Sequence, residues 1–122
     1  MTGVVPEEAH PVSFLDDVVH QRARLGILSV LEEAEQADFT YLRKTLKLTG
    51  GNFGRHLEVL VGAGYVQLHK SYNGRRTRTW ANITPGGRQA FLAEITALRA
   101  LVAGVEKRGR LWPEVTTARD AA

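Results

Sequence analysis

Apolar residues recur along this 122-residue chain with two different periods, and the change of period sets the order of elements. Leu25, Ile27, Leu28 and Leu31 share one face of a 3.6-residue repeat and predict a helix over 21–34, ending in the acidic run Glu32–Glu35. Asp38 can cap a second helix over 40–47 with Leu42, Leu46 and Leu48 inward. Thr49 can cap a third over 50–62, whose apolar face is Phe53, Leu57, Leu60 and Val61 and which stops at Gly62-Ala63-Gly64. The period then drops to two. Residues 65–72 and 76–83 read as strands about Asn73-Gly74, a pair suited to a type I′ turn. A two-residue loop there pairs Val66 with Ala81 and Leu68 with Thr79. These residues and Ile83 then face the core, with His69, Ser71, Arg76, Arg78 and Trp80 outward. Thr84 and Pro85 supply an N-cap and a first helical residue for a last helix over 85–105. Ser13 and Asp16 have capping-box spacing, which predicts a short helix ahead of all these. The expected fold is mainly α with a small β-hairpin, in the order α-α-α-β-β-α. One domain is expected over 13–105, with a flexible segment 1–12 and a loose tail 106–122.

The last helix carries more apolar surface than a small core needs. Phe91, Ile95, Leu98, Val102 and Val105 are spaced 4-3-4-3, an a/d seam that Leu101 widens. A helix of this span is about 30 Å long. The excess stripe predicts a homodimer with these six residues at its interface.

Charge narrows the function. Residues 1–38 balance to −6, residues 39–84 to +7 and residues 85–122 to +2. A middle third this basic attracts a polyanion, most commonly nucleic acid. The chain has no cysteine, hence neither thiolate metal ligand nor cysteine nucleophile. No Gly-x-Ser-x-Gly and no Gly-Lys-Ser/Thr phosphate loop occurs, so an enzyme is not expected and no cofactor is called for. The N-terminus is acidic and interrupted by prolines, unlike a secretory signal. No apolar run approaches the roughly 18 residues of a membrane span. The expected location is cytoplasmic.

Two helices joined by a short glycine-bearing turn and followed by a basic hairpin form the layout of a winged helix-turn-helix. The pieces "DFTYL", "TGGNFGRHL", "GAGYV", "NGRRTRT" and "ITPGGR" occur in order. Across about residues 14 to 100 they resemble the small single-domain winged-helix transcriptional regulators related to the MarR and ArsR groups. That resemblance implies a double-stranded DNA partner, a dimer and possible control by a small-molecule effector. It points the third helix at the major groove and makes the hairpin a wing. The residues expected at DNA are Lys44, Lys47, Thr49, Gly51, Asn52, Arg55 and His56 around the third helix, and Lys70, Arg75, Arg76 and Arg78 on the hairpin. Arg43 and Tyr41 flank the same turn. Asn reads adenine and Arg reads guanine bidentately, and hairpin arginines suit a phosphate ridge or a narrow minor groove. Gly54 departs from the small hydroxyl residue the family leads one to expect.

Each of these residues also has a structural reading. His56 can be a packing histidine, Asn52 a helix-start residue bonded to its own backbone, and Trp80 a cover for the wing base. Three other functions compete. "GNFGRHL" matches the Gly-x-x-Gly loop of single-stranded RNA-binding KH modules, although such a module needs a strand before that helix pair. Asp16 and His20, four residues apart with His10 nearby, could begin a metal site, although the chain lacks cysteine and "DDVVH" reads as a local helix plus cap. A protein–protein adaptor would have little use for so many clustered arginines.

Overall fold

The computed structural model describes residues 9–108. They fall into two compact units, Asp16–Glu94 and the described parts of Met1–Leu15 and Ile95–Ala122. The elements are α1 (Arg22–Ala34), β1 (Gln36–Asp38), α2 (Phe39–Thr45), α3 (Gly50–Gly62), β2 (Val66–Asn73), β3 (Arg76–Ile83) and α4 (Pro85–Lys107). A 3₁₀ turn, Pro11–Phe14, precedes them. Most of the tail expected beyond 106, and most of the segment before 12, lie outside the described residues.

In the Asp16–Glu94 unit the core is built from the predicted stripes. Ile27, Leu28 and Leu31 of α1, Leu42 of α2, Phe53 and Leu60 of α3 are fully buried, and Leu57, Val66 and Ala81 nearly so. Phe39 meets Phe53 edge-on at 4.6 Å between ring centroids. Val61, expected inward, is 39% exposed, because it lies beyond the edge of the Phe53/Leu57/Leu60 stripe.

Helix ends follow their chemistry. Asp38 Oδ1 accepts the Tyr41 amide at 2.7 Å and caps α2, and Thr49 Oγ1 accepts that of Asn52 at 3.4 Å and caps α3. α3 ends in a Schellman motif. The Tyr65 amide donates to the Leu60 carbonyl and the Gly64 amide to that of Val61, both at 2.9 Å, with Gly64 at φ 81°. α2 ends the same way without a glycine. The Leu48 amide reaches the Arg43 carbonyl at 3.0 Å and the Lys47 amide that of Lys44 at 3.2 Å, with Lys47 itself at φ 55°. A non-glycine residue held there costs about 1–2 kcal/mol.

The expected capping box does not form. Ser13 Oγ instead donates to the His10 carbonyl at 2.7 Å, and His10 Nδ1 accepts the Val12 amide at 3.1 Å. Asp16 makes its own tight turn, Oδ1 accepting the amides of Val18 (2.7 Å) and Val19 (3.2 Å). Among the described residues no α-helix begins until Arg22.

The sheet differs from expectation in two ways. It has three antiparallel strands in the order β1-β3-β2, the extra one being β1. The hairpin is also shifted, pairing Val66 with Ile83 and Leu68 with Ala81, with Asn73 opposite Arg76. The loop is therefore Gly74-Arg75 rather than Asn73-Gly74. Gly74 has φ 64° and Arg75 is not among the positive-φ residues, the sign pattern of a type II′ turn instead of I′. Because the total shift is two residues, each side chain keeps its predicted face. Leu68 is nonetheless 44% exposed, since the hairpin runs past the body there.

β3 passes into α4 through a junction that explains "ITPGG". Thr84 Oγ1 donates to the Gly64 carbonyl at 2.6 Å and accepts the Gly87 amide at 2.9 Å, while the Thr84 amide donates to the Tyr65 carbonyl at 3.0 Å. A Cβ on Gly87 would sit 2.1 Å from that Tyr65 oxygen, so only glycine fits. In the other unit, Ala97 is buried on α4 while Val102 is 42% exposed. No helix among the described residues is long and apolar enough to cross a membrane.

Candidate nucleic-acid interface

α2, the connection Leu46–Thr49 and α3 make a helix-turn-helix. Gly51, Asn52 and Arg55 all lie on the exposed side of α3, away from Phe53 and Leu57. Among the described residues, the side chains of Asn52 and Arg55 make no hydrogen bond or ion pair. The backbone-bonding alternative for Asn52 is therefore absent, only its main-chain amide being used. No Cβ-excluding neighbour lies near Gly50, Gly51 or Gly54. The open space around them leaves the first turn of α3 accessible. Gly51 to Gly54 are helical and Phe53 is fully buried, so "GNFG" is not a loop that could clamp a single strand.

His56 is half-buried and engaged. Arg24 Nη1 lies 3.1 Å from its Nδ1. Arginine can only donate, so Nδ1 accepts and the ring proton sits on Nε2. Burial lowers the imidazole pKa below its usual value, and the charges of Arg24 and Arg55 lower it further. Arg24 is itself pinned, Nε donating to the Val18 carbonyl at 2.6 Å and Nη2 to that of Asp17 at 3.4 Å. Of the residues expected at DNA, His56 thus has one ring nitrogen committed inside the protein.

The hairpin is almost wholly exposed beyond Leu68. Among the described residues, Arg78 alone of the eight cations in 39–84 meets a carboxylate, Asp38 Oδ2 at 3.7 Å. Lys44, Lys47, Lys70, Arg75 and Arg76 are exposed without one. Trp80 packs within the hairpin. Its indole N–H donates to Ser71 Oγ at 3.0 Å, its ring stacks on His69 at 6.4 Å, and the Arg78 guanidinium lies 5.6 Å from its centroid. A trough of ≈ 990 Å³ separates the start of α2 from this wing face, with Thr40 and Tyr41 on one side and Arg76 and Arg78 on the other.

This arrangement has counterparts. The family of winged helix DNA-binding domains matches residues 23–102. The chain belongs to this winged helix DNA-binding family. An uncharacterized protein of Methanocaldococcus jannaschii is 37% identical over 83 residues, which span 68% of this chain and 90% of that one. A transcriptional regulator homologue from Pyrococcus horikoshii is similar in structure, with TM-score 0.68 and 32% identity over 72% of this chain and 87% of its own. The M. tuberculosis transcriptional regulator MOSR, solved with DNA, shares the fold at TM-score 0.56 and 22% identity, over 94% and 79% of the two chains. In winged-helix terms α2 and α3 are the helix-turn-helix and β2–β3 is the wing.

One functional-looking group escaped the sequence reading. Glu94 is 1% exposed. Its Oε1 accepts the Asp16 amide at 2.9 Å and its Oε2 lies 2.6 Å from His20 Nδ1. Tyr65 donates its hydroxyl to Asp16 Oδ2 at 3.0 Å. Burial first, and then that bond and the Asp16 charge, raise the phenol pKa. A buried carboxylate is costly unless paired and bonded, and this network satisfies it. Asp16 and His20, weighed as metal ligands, are thus used to close the winged-helix unit. Among the described residues no cluster of three metal-ligating side chains occurs. The available signal was an acid at position 94, three residues after Phe91 and four before Leu98, on the apolar stripe.

Proposed function

We propose that this protein is a sequence-specific, double-stranded DNA-binding transcriptional regulator acting as a dimeric repressor. α3 enters the major groove with Asn52 and Arg55 toward base edges. Thr49, Gly51, Lys44 and Lys47 set the helix-turn-helix on the backbone, and Lys70, Arg75, Arg76 and Arg78 carry the wing along phosphates or into the minor groove. His56 would act through Nε2–H. The observation that carries this reading is the exposed, unbonded Asn52/Arg55 face of α3 in a chain of the winged helix DNA-binding family.

The dimer contact would be the outer face of α4, from Ile95 through Leu98, Leu101, Val102 and Val105. Phe91, also expected there, is 8% exposed and belongs to the core rather than to an outward seam. An adaptor role is the competing reading, and the same experiment separates the two. Purified protein is titrated with random-sequence duplex at several salt concentrations, and preferred sites are then selected from a random pool. Salt-dependent binding with a recovered motif supports the regulator. Binding that is absent or insensitive to salt favours the adaptor.

A further inference from the structure

Asp38 serves two elements at once. One carboxylate oxygen caps α2 through the Tyr41 amide at 2.7 Å, and the other faces Arg78 Nε on β3 at 3.7 Å. The pairing of β1 with β3 creates this contact, by setting Asp38 opposite Trp80 and beside the wing. Asp38 is the one acid among the described residues that line the trough between α2 and the wing, where Arg76 and Arg78 supply the positive charge. Its side chain is only 22% exposed, whereas that of Arg78 is 62% exposed.

The contact is one of charge, because 3.7 Å is too long for a hydrogen bond that would fix the guanidinium. Trp80 does the orienting. Its ring lies 5.6 Å from the Arg78 Cζ and is itself tethered to Ser71. An aromatic face holds a guanidinium without consuming its N–H donors. The terminal nitrogens of Arg78 have no acceptor among the described residues, so they are left for an outside anion. A phosphate reaching them must share the cation with a carboxylate already in place.

We propose that Asp38 is an internal competitor for Arg78. It weakens the wing's hold on the duplex backbone irrespective of sequence, and so raises the share of affinity carried by the base-reading face of α3. This inference rests on the DNA-binding reading of the wing. It identifies Asp38 as a residue that sets the strength of the wing's backbone contact without touching the duplex.

A double-mutant cycle tests it, measuring affinity for random-sequence duplex at fixed salt in the full chain. Asn is as good an N-cap as Asp, so Asp38→Asn keeps α2 while removing the charge. Asp38→Asn is expected to bind random duplex about two- to fivefold more tightly, the range that exposed ion pairs allow. It should tighten binding to the preferred site by the same factor, leaving the ratio of specific to random affinity unchanged. In the Arg78→Ala background the same change should gain less than about twofold. An equal gain in both backgrounds would overturn the proposal, leaving Asp38 as a diffuse repulsive charge. Weaker binding by Asp38→Asn would overturn it too, making Asp38 a positioning residue for Arg78. Asp38→Ser, another capping residue, enters the same cycle if a thermal melt shows that the Asn variant is not folded. Wild-type protein without salt-dependent duplex binding would instead remove the DNA reading itself, an outcome the unmutated arm identifies alone.

Discussion

At the scale of single residues, His56 and Arg55 are neighbours with different fates. His56 is drawn inward by Arg24, and its pKa is lowered first by burial and then by the charges of Arg24 and Arg55. In the unfolded chain it titrates near 6.5, so between that value and the lower folded one the unfolded state holds more protons. Its contribution to stability is therefore complete above about pH 6.5 and is lost as pH falls through the folded pKa. Denaturant melts across mildly acid pH should show this loss, and His56→Gln should flatten it. A slope unchanged in that variant would mean the imidazole does not stay neutral in the fold. Arg55 has no such partner among the described residues. Arg55→Ala is expected to cost roughly 1–3 kcal/mol on the preferred site and to relax the selected motif at one position. A motif identical to that of the wild type would show that α3 is not the reading helix.

At the scale of elements, the wing shows why like charge can be stored on a hairpin. Arg76 and Arg78 project from one face, and Asn73 opposite Arg76 and Ser71 opposite Arg78 are neutral. The register thus avoids facing two cations across the strands, a pairing that is destabilising. On the proposed reading, the remaining repulsion is relieved when phosphates neutralise the tip. Allowing three to five phosphate contacts per subunit, a dimer neutralises about six to ten, and log affinity should fall against log salt with a slope of about −5 to −9. Replacing Arg75, Arg76 and Arg78 by alanine should make that slope shallower by several units. Arg119→Ala, outside the described residues, serves as the control and should leave it unchanged. A slope that survived the triple replacement would assign the charged hairpin to another partner.

At the scale of the whole molecule, the open question is assembly. Val102 is 42% exposed, and Leu98, Leu101 and Val105 are partly so, a stripe of large apolar residues along the second half of α4. Exposed apolar surface in a continuous row is a common mark of a protein contact. Leu98→Glu combined with Val102→Glu should give a folded monomer that binds its specific site much more weakly. Sedimentation decides the matter. A wild-type monomer at tens of micromolar would rule out this dimer.

Much of this protein is decided locally and could be read from the chain. The stripes of α1 and α3, the caps at Asp38 and Thr49, the glycine stop at Gly64 and the Thr84-Pro85 start of α4 depend on neighbours within one helical turn. Such contacts leave a period or a short motif in the sequence. The basic segment 39–84 was legible for the same reason, because charge is a property of composition. The turn type was not. Asn73-Gly74 and Gly74-Arg75 are both acceptable loops, and the choice between them is made by pairing along all of β2 and β3. Three-residue β1 has no period of its own, and it is a strand only because β3 offers it an edge. Glu94 was hidden among apolar positions, since its partners Asp16 and His20 are more than seventy residues away. The pairing of Asp38 with Arg78 arises from that same borrowed strand. Sequence by itself determined the four α-helices, the two hairpin strands and the sign of the surface. Tertiary structure decided which charges meet, because long-range pairing depends on where several elements come to rest, and no local repeat encodes that.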